Sequence, residues 1–188
     1  SSDVCSSDLW SKVFKKELLE QCLYPVTPKV KIGEDAAFTY PCLLAAESLA
    51  YVDGCLYHYR NNAQSMTAAF DPHLTETIFI PLDILRTYFD TDKRALFAQY
   101  QMYAVYLLQL WVRNQASLDC DLDRKGLRQS CARVCQNQEL RALLASVPGA
   151  LPRQVAVAVH AVQQQKPGQL YLLIKAWNLY YKLRNGRA

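Results

Sequence analysis

From about Pro72 onward the chain carries apolar residues at helical spacing with few breaks, and this periodicity constrains the fold more than any other feature. Leu74 to Phe89 and Lys93 to Ser117 contain no glycine and are expected to form long helices. Asp119 to Asp123 is a polar break. Shorter helices are expected over Gly126 to Cys135, Glu139 to Ser146 and Val155 to Gln165, with Pro148-Gly149 and Pro152 as punctuation. Gln169 to Leu183 reads as the last helix.

The first third of the chain reads differently. Trp10 to Gln21 is helical in spacing, at least from Lys15. Pro25 and Pro28 make Tyr24 to Lys31 a loop or extended arm. Gly33-Glu34-Asp35 opens a helix over Ala36 to Ser48, and its two carboxylates suit the positive end of a helix dipole. Pro41 is expected to kink it. Leu49 to Asp53 and Cys55 to Tyr59, joined at Asp53-Gly54, read as a hairpin or two strand-like pieces. Asn61 to Thr67 is polar and reads as a loop. The expected fold class is therefore α+β, with an all-helical extension over 72–188.

Of the 188 residues 51% are apolar, enough to bury a sizeable core. The net charge of +4 is mild and does not suggest nucleic acid as a partner. No run of roughly eighteen uncharged apolar residues marks a membrane-crossing helix. The seven cysteines are odd in number and form no spacing framework, so reduced thiols are expected. Cys131 and Cys135 share a helix face, but no second cysteine pair accompanies them, which argues against zinc.

Ser1 to Leu9 (SSDVCSSDL) has no apolar periodicity and matches, residue for residue, the translation of a common DNA sequencing adapter. We therefore set residues 1–9 aside as adapter-derived or disordered and expect native sequence to begin near Trp10.

Four pieces in the first third resemble bacterial family-2 glycosyltransferases of the GT-A fold. They are Trp10-Ser11-Lys12-Val13-Phe14-Lys15-Lys16-Glu17-Leu18-Leu19, Gly33-Glu34-Asp35-Ala36-Ala37-Phe38, Leu56-Tyr57-His58-Tyr59-Arg60, and Ser65-Met66-Thr67. Each piece is weak alone. Their order and spacing are more specific, and the match covers about a third of the chain. The resemblance implies that 10–71 is the C-terminal, acceptor-side part of a GT-A-like α/β domain. It also implies that Asp35 is the general base of an inverting sugar transfer, with Glu34 supporting it or touching the acceptor. A carboxylate can take the acceptor hydroxyl proton if it is held within hydrogen-bond reach. The alternative is that Glu34 and Asp35 merely cap a helix.

Further roles follow from the same resemblance. Trp10 either stacks on an acceptor sugar or lies in the core. Lys12 either approaches the diphosphate or acceptor or is solvated. Arg60 either contacts a phosphate or pairs with a carboxylate. The family's divalent metal, Mg or Mn, is held through a D-x-D motif upstream of the acidic pair, and none stands there in this chain. Asp121-Leu122-Asp123 matches the letters but lies downstream, as a loop or helix start. Asn62 stands nearest to the place where many relatives carry a metal-binding His, and an amide oxygen is a weaker ligand. The expectation is a truncated transferase for cell-surface polysaccharide, inactive alone because the donor half is missing. Its implied partners are a nucleotide-sugar donor and a glycan or lipid-linked acceptor.

The last helix is apolar nearly all round, with Tyr171, Trp177, Tyr180 and Tyr181 among Lys175, Lys182, Arg184 and Arg187. It suits either an interfacial helix on an anionic membrane or a core helix with a basic tail. The implied location is the cytoplasm, with the inner face of the plasma membrane within reach of such a helix. The competing function is a non-catalytic helical module that docks on a membrane or partner. An enzyme would place Asp35 at the rim of a cleft near Arg60, whereas a module would leave it as a cap facing bulk water.

Overall fold

The computed structural model describes residues 12–22, 30–54, 69–89 and 94–185, with side chains described from 97 in the last stretch. The described helices are α1 (Lys16–Cys22), α2 (Glu34–Ala45), α3 (Leu74–Thr77), α4 (Ile80–Leu85), α5 (Arg94–Gln115), α6 (Arg124–Gln136), α7 (Gln138–Leu144), α8 (Arg153–Gln163) and α9 (Pro167–Asn185).

No strand occurs among the described residues, so the α+β expectation is corrected to an all-helical one. These residues do not build the C-terminal part of a GT-A-like α/β domain. Leu49, Tyr51 and Val52 have the side chains of a strand but are 75%, 75% and 67% exposed. Strand propensity is realised only where a neighbouring strand takes the backbone bonds and one face is buried. Among the described residues this segment belongs to no strand and is exposed coil. The other expected arm, Cys55 to Tyr59, lies outside the described residues.

The core is organised on α5. Its Tyr100, Ala104, Leu107, Leu108 and Trp111 are at most 1% exposed. Positions 100, 104, 107 or 108, and 111 follow helical spacing of three or four, so they form one broad stripe. Leu74, Ile78, Leu82 and Leu85 of the α3–α4 region join the same core as Leu127, Cys131 and Val134 of α6. Leu140 and Leu144 of α7, Ala161 and Val162 of α8, and Leu170 and Ile174 of α9 complete it. The indole N–H of Trp111 donates to Thr75 Oγ1 at 2.9 Å, so the largest buried side chain leaves no unpaired donor. Gln101 is also buried, and its amide donates to the carbonyls of Leu143 at 2.9 Å and Ser146 at 3.0 Å, tying α5 to the end of α7.

The expected helix over Leu74 to Phe89 is divided into α3 and α4. Pro81 is the reason, since it lies in the first turn of α4 and lacks the N–H that would continue α3. Pro41, by contrast, is buried inside α2. Two helix starts downstream are capped by side chains. Asp123 accepts from Gly126 N at 2.6 Å and opens α6, and Asn137 accepts from Leu140 N at 2.9 Å and opens α7. Among the described residues no helix is long and apolar enough to cross a membrane.

Candidate functional site

The acidic pair sits where the chain turns into α2. Gly33 is the N-cap residue and lies in the left-handed region, with φ 88° and ψ 11°. Its carbonyl accepts from Ala37 N at 3.0 Å, closing the first turn over Glu34 and Asp35. The turn requires glycine on two counts. A side chain at that φ is strained, and a Cβ would stand 2.3 Å from the Tyr103 hydroxyl and 3.0 Å from Pro81 Cγ. Glu34 and Asp35 are both half-buried. They occupy the first turn of a helix, where backbone N–H groups and the dipole favour negative charge.

Beneath the turn lies a tyrosine that sequence reasoning did not select. Tyr103 of α5 is 5% exposed, and its hydroxyl has no hydrogen-bond partner. Burial above all keeps that phenol protonated, well above the ordinary tyrosine range. Tyr40, Tyr106, Glu34 and Asp35 add to the effect electrostatically, in that order. The Tyr103 ring is held edge-on by Tyr40 of α2, with centroids 5.7 Å apart. In the sequence Tyr100, Tyr103 and Tyr106 recur every third residue within α5. Nothing local distinguishes the one that ends under Gly33.

The first two motif pieces meet in space. Phe14, from the Trp10 to Leu19 piece, packs edge-on against Phe38, from the Gly33 to Phe38 piece, with centroids 6.0 Å apart. Cys22 of α1 donates through its thiol to the Pro41 carbonyl of α2 at 3.8 Å. Burial first, and then the Cys22 thiol, pushes the Cys42 thiol up to about 11. These contacts set α1 along α2, on the same part of the molecule as the acidic pair. Lys12 is half-buried at the start of this region, and both Lys12 and Asp35 are engaged in interactions rather than free. Trp10, Arg60, Asn62 and His58 lie outside the described residues, as does Ser65-Met66-Thr67.

Asp123 of the downstream D-x-D is the α6 cap described above, and its neighbour Asp121 is exposed. His73 is the exposed N-cap residue of α3, and His160 is exposed on α8. Cys131 and Cys135 are both buried. Burial, with Cys135 beside it, pushes the Cys131 thiol up to about 12, and burial pushes Cys135 up to about 11. At neutral pH both are protonated, the form that does not bind metal. No group of three His, Cys, Asp or Glu side chains among the described residues is arranged to hold a metal ion. Asn62, the residue that the resemblance places nearest a metal, is not among them, and no step is assigned to a metal.

Two open grooves lie elsewhere. One of about 510 Å³ is lined by Asp123, Arg124, Lys125, Arg128, Gln129 and Ala132. The other, of about 310 Å³, lies between the end of α5 and Tyr181 and Asn185 of α9. Neither touches Glu34 or Asp35. The acidic pair is thus neither at the rim of these grooves nor a cap in bulk water. It is a half-buried pair of carboxylates over a buried phenol, on a turn fixed by glycine.

No family model, curated protein or solved structure matches the chain.

Proposed function

We propose that this chain carries the acceptor side of an inverting glycosyltransferase of bacterial cell-surface polysaccharide synthesis, with Asp35 as the general base. The reading rests on the order of the motif pieces in the sequence. Its main structural support is the Phe14–Phe38 contact, which brings the first two pieces together beside the acidic turn. It does not rest on an α/β domain.

Asp35 accepts the proton of an acceptor hydroxyl as that oxygen bonds to the anomeric carbon of the donor sugar. The bond from that carbon to the diphosphate oxygen breaks on the opposite face, and the nucleotide diphosphate leaves with the electron pair. Inversion follows from attack opposite the leaving group. The start of α2 favours negative charge at this position. Glu34 contacts or orients the acceptor. Tyr103 packs beneath the turn and exchanges no proton, because its hydroxyl stays protonated.

No D-x-D precedes Glu34 in this sequence, so donor binding must come from outside these residues. The donor is a nucleotide sugar, the acceptor a glycan or a lipid-linked glycan, and the place of action the cytoplasm. Alone, the chain is expected to give no sugar transfer. With a D-x-D-bearing donor segment supplied, transfer is expected. In that assay Asp35→Asn should lower kcat with little change in the KM for donor, while Glu34→Gln should mainly raise the KM for acceptor. Transfer unaffected by Asp35→Asn would refute the assignment.

A further inference from the structure

Helix α9 has two apolar faces, and the core uses only one. Leu170 and Ile174 are fully buried, and Tyr171, Leu173, Trp177 and Tyr181 pack beside them. Asn178 on this side donates to the carbonyls of Ala116 at 3.2 Å and Ser117 at 3.1 Å, fixing α9 against the end of α5. Away from the core, Leu172 is 66% exposed, and Leu179, Tyr180 and Leu183 are each 57% exposed. Ala176 is exposed between them. Positions 172, 176, 179 and 183 follow the alternating four- and three-residue spacing that lines up one stripe on a helix.

The charges on α9 itself are of one sign. Lys175, Lys182 and Arg184 are exposed, and α9 contains no aspartate or glutamate. On the flank shared with α6, the Arg128 guanidinium lies over the Tyr171 ring at 5.1 Å. Arg124 and Lys125 lie beside Arg128 in the groove at the start of α6. Asp121 and Asp123 also stand at that end, so Lys175, Lys182, Arg184 and Arg128 carry the net positive charge of the surface. A second copy of α9 would bring only more positive charge to the stripe.

We propose that the outer face of α9 is a docking surface for an anionic phospholipid membrane, with Leu172, Ala176, Leu179 and Leu183 entering the interface and Lys175, Lys182, Arg184 and Arg128 meeting the headgroups. Two sides of one helix are thus put to different uses. Trp177 and Tyr181 hold α9 to the protein and do not act as membrane anchors, while Tyr180 lies at the headgroup level. The helix rests on the surface and does not cross it. This assignment is independent of the role given to Asp35.

The test is sedimentation of the 188-residue chain with vesicles of phosphatidylcholine, with or without phosphatidylglycerol. The chain is expected to sediment with the mixed vesicles at low salt, less at high salt, and little with phosphatidylcholine alone. The triple variant Leu172→Gln, Leu179→Gln, Leu183→Gln should stay in the supernatant. Its melting curve should match the parent's, because all three side chains are exposed. The milder pair Lys175→Gln, Lys182→Gln should weaken binding about twenty-five-fold, at about fivefold per basic residue. This pair reads the charge contribution if the triple variant fails to fold. No sedimentation at low salt would overturn the proposal, as would sedimentation that the triple variant or the lysine pair retains in full. Light scattering of the protein alone gives the last control. A dimer that the triple variant dissolves would make a second copy the occupant, and an acidic peptide displacing the vesicles completely would make a protein partner the occupant; either would overturn it.

Discussion

Gly33 and Tyr103 make a pair whose coupling is measurable. Gly33→Ala should destabilise the fold through the left-handed backbone, at about 1–2 kcal/mol, and further through the clash with the Tyr103 hydroxyl. Tyr103→Phe removes a buried hydroxyl that has no partner, so it should be neutral or stabilising. The double variant should recover part of the alanine's penalty, since the phenyl ring no longer reaches the new Cβ. Urea unfolding of the four proteins measures this, and strict additivity would mean that the two side chains do not meet. The glycine was legible as the opening of a helix. The tyrosine was not, because its neighbour is 70 positions away in the sequence.

The buried thiols give a second residue-scale prediction. Cys131 is held up to about 12 and Cys135 up to about 11, against an ordinary 9.0. The folded state therefore keeps protons that the unfolded chain releases at lower pH. The stability they contribute is complete below about pH 9 and is lost as pH rises toward 11–12. The urea midpoint should fall over that window, and Cys131→Ala should flatten the fall while lowering the midpoint at every pH. An unchanged slope in the variant would remove Cys131 as a cause.

At the scale of elements, the sequence predicted helices well and strands badly. Hydrophobic periodicity is a property of one helix and its own face, so α5 to α9 were legible within a few residues. A hairpin is a property of two segments and whatever buries them. Leu49 to Asp53 had the residue types of a strand without the described partner, and remained exposed coil. Proline acted according to position. Pro81 began a new helix, whereas Pro41 was absorbed into α2. Asp123 illustrates how a motif's letters can mislead. It looks like half of a metal-binding D-x-D but serves as the cap of α6, with Gly126 N at 2.6 Å. Asp123→Ala should lower stability by about 1 kcal/mol, read as a lower melting temperature. No loss would mean that the cap bond is not formed in solution.

At the scale of the whole molecule, α5 links the two surfaces to which function is assigned. Tyr103 in its first half supports the acidic turn, and the carbonyl of Ala116, just past its end, receives Asn178 of α9. The separation along the helix is on the order of 20 Å. A catalytic turn and a membrane-docking helix set on one rigid element would keep a fixed height between Asp35 and the membrane surface. That arrangement suits an acceptor whose lipid end stays in the bilayer. The acidic pair was legible as a pair at a helix start. Its half-burial and its buried phenol depend on α4 and α5, packed from far along the chain, and had no local signal.

The most direct measurement is sugar transfer by Asp35→Asn, with the donor-binding segment supplied and the melting temperature followed in parallel. Turnover is expected to fall roughly a hundredfold or more, as for loss of a general base. Donor KM and melting temperature are expected to stay close to those of the parent, because asparagine keeps the shape and can still accept hydrogen bonds at the start of α2. Full turnover in the variant, or activity lost only in step with stability, would contradict the general-base role and leave Asp35 as a structural residue of the helix turn.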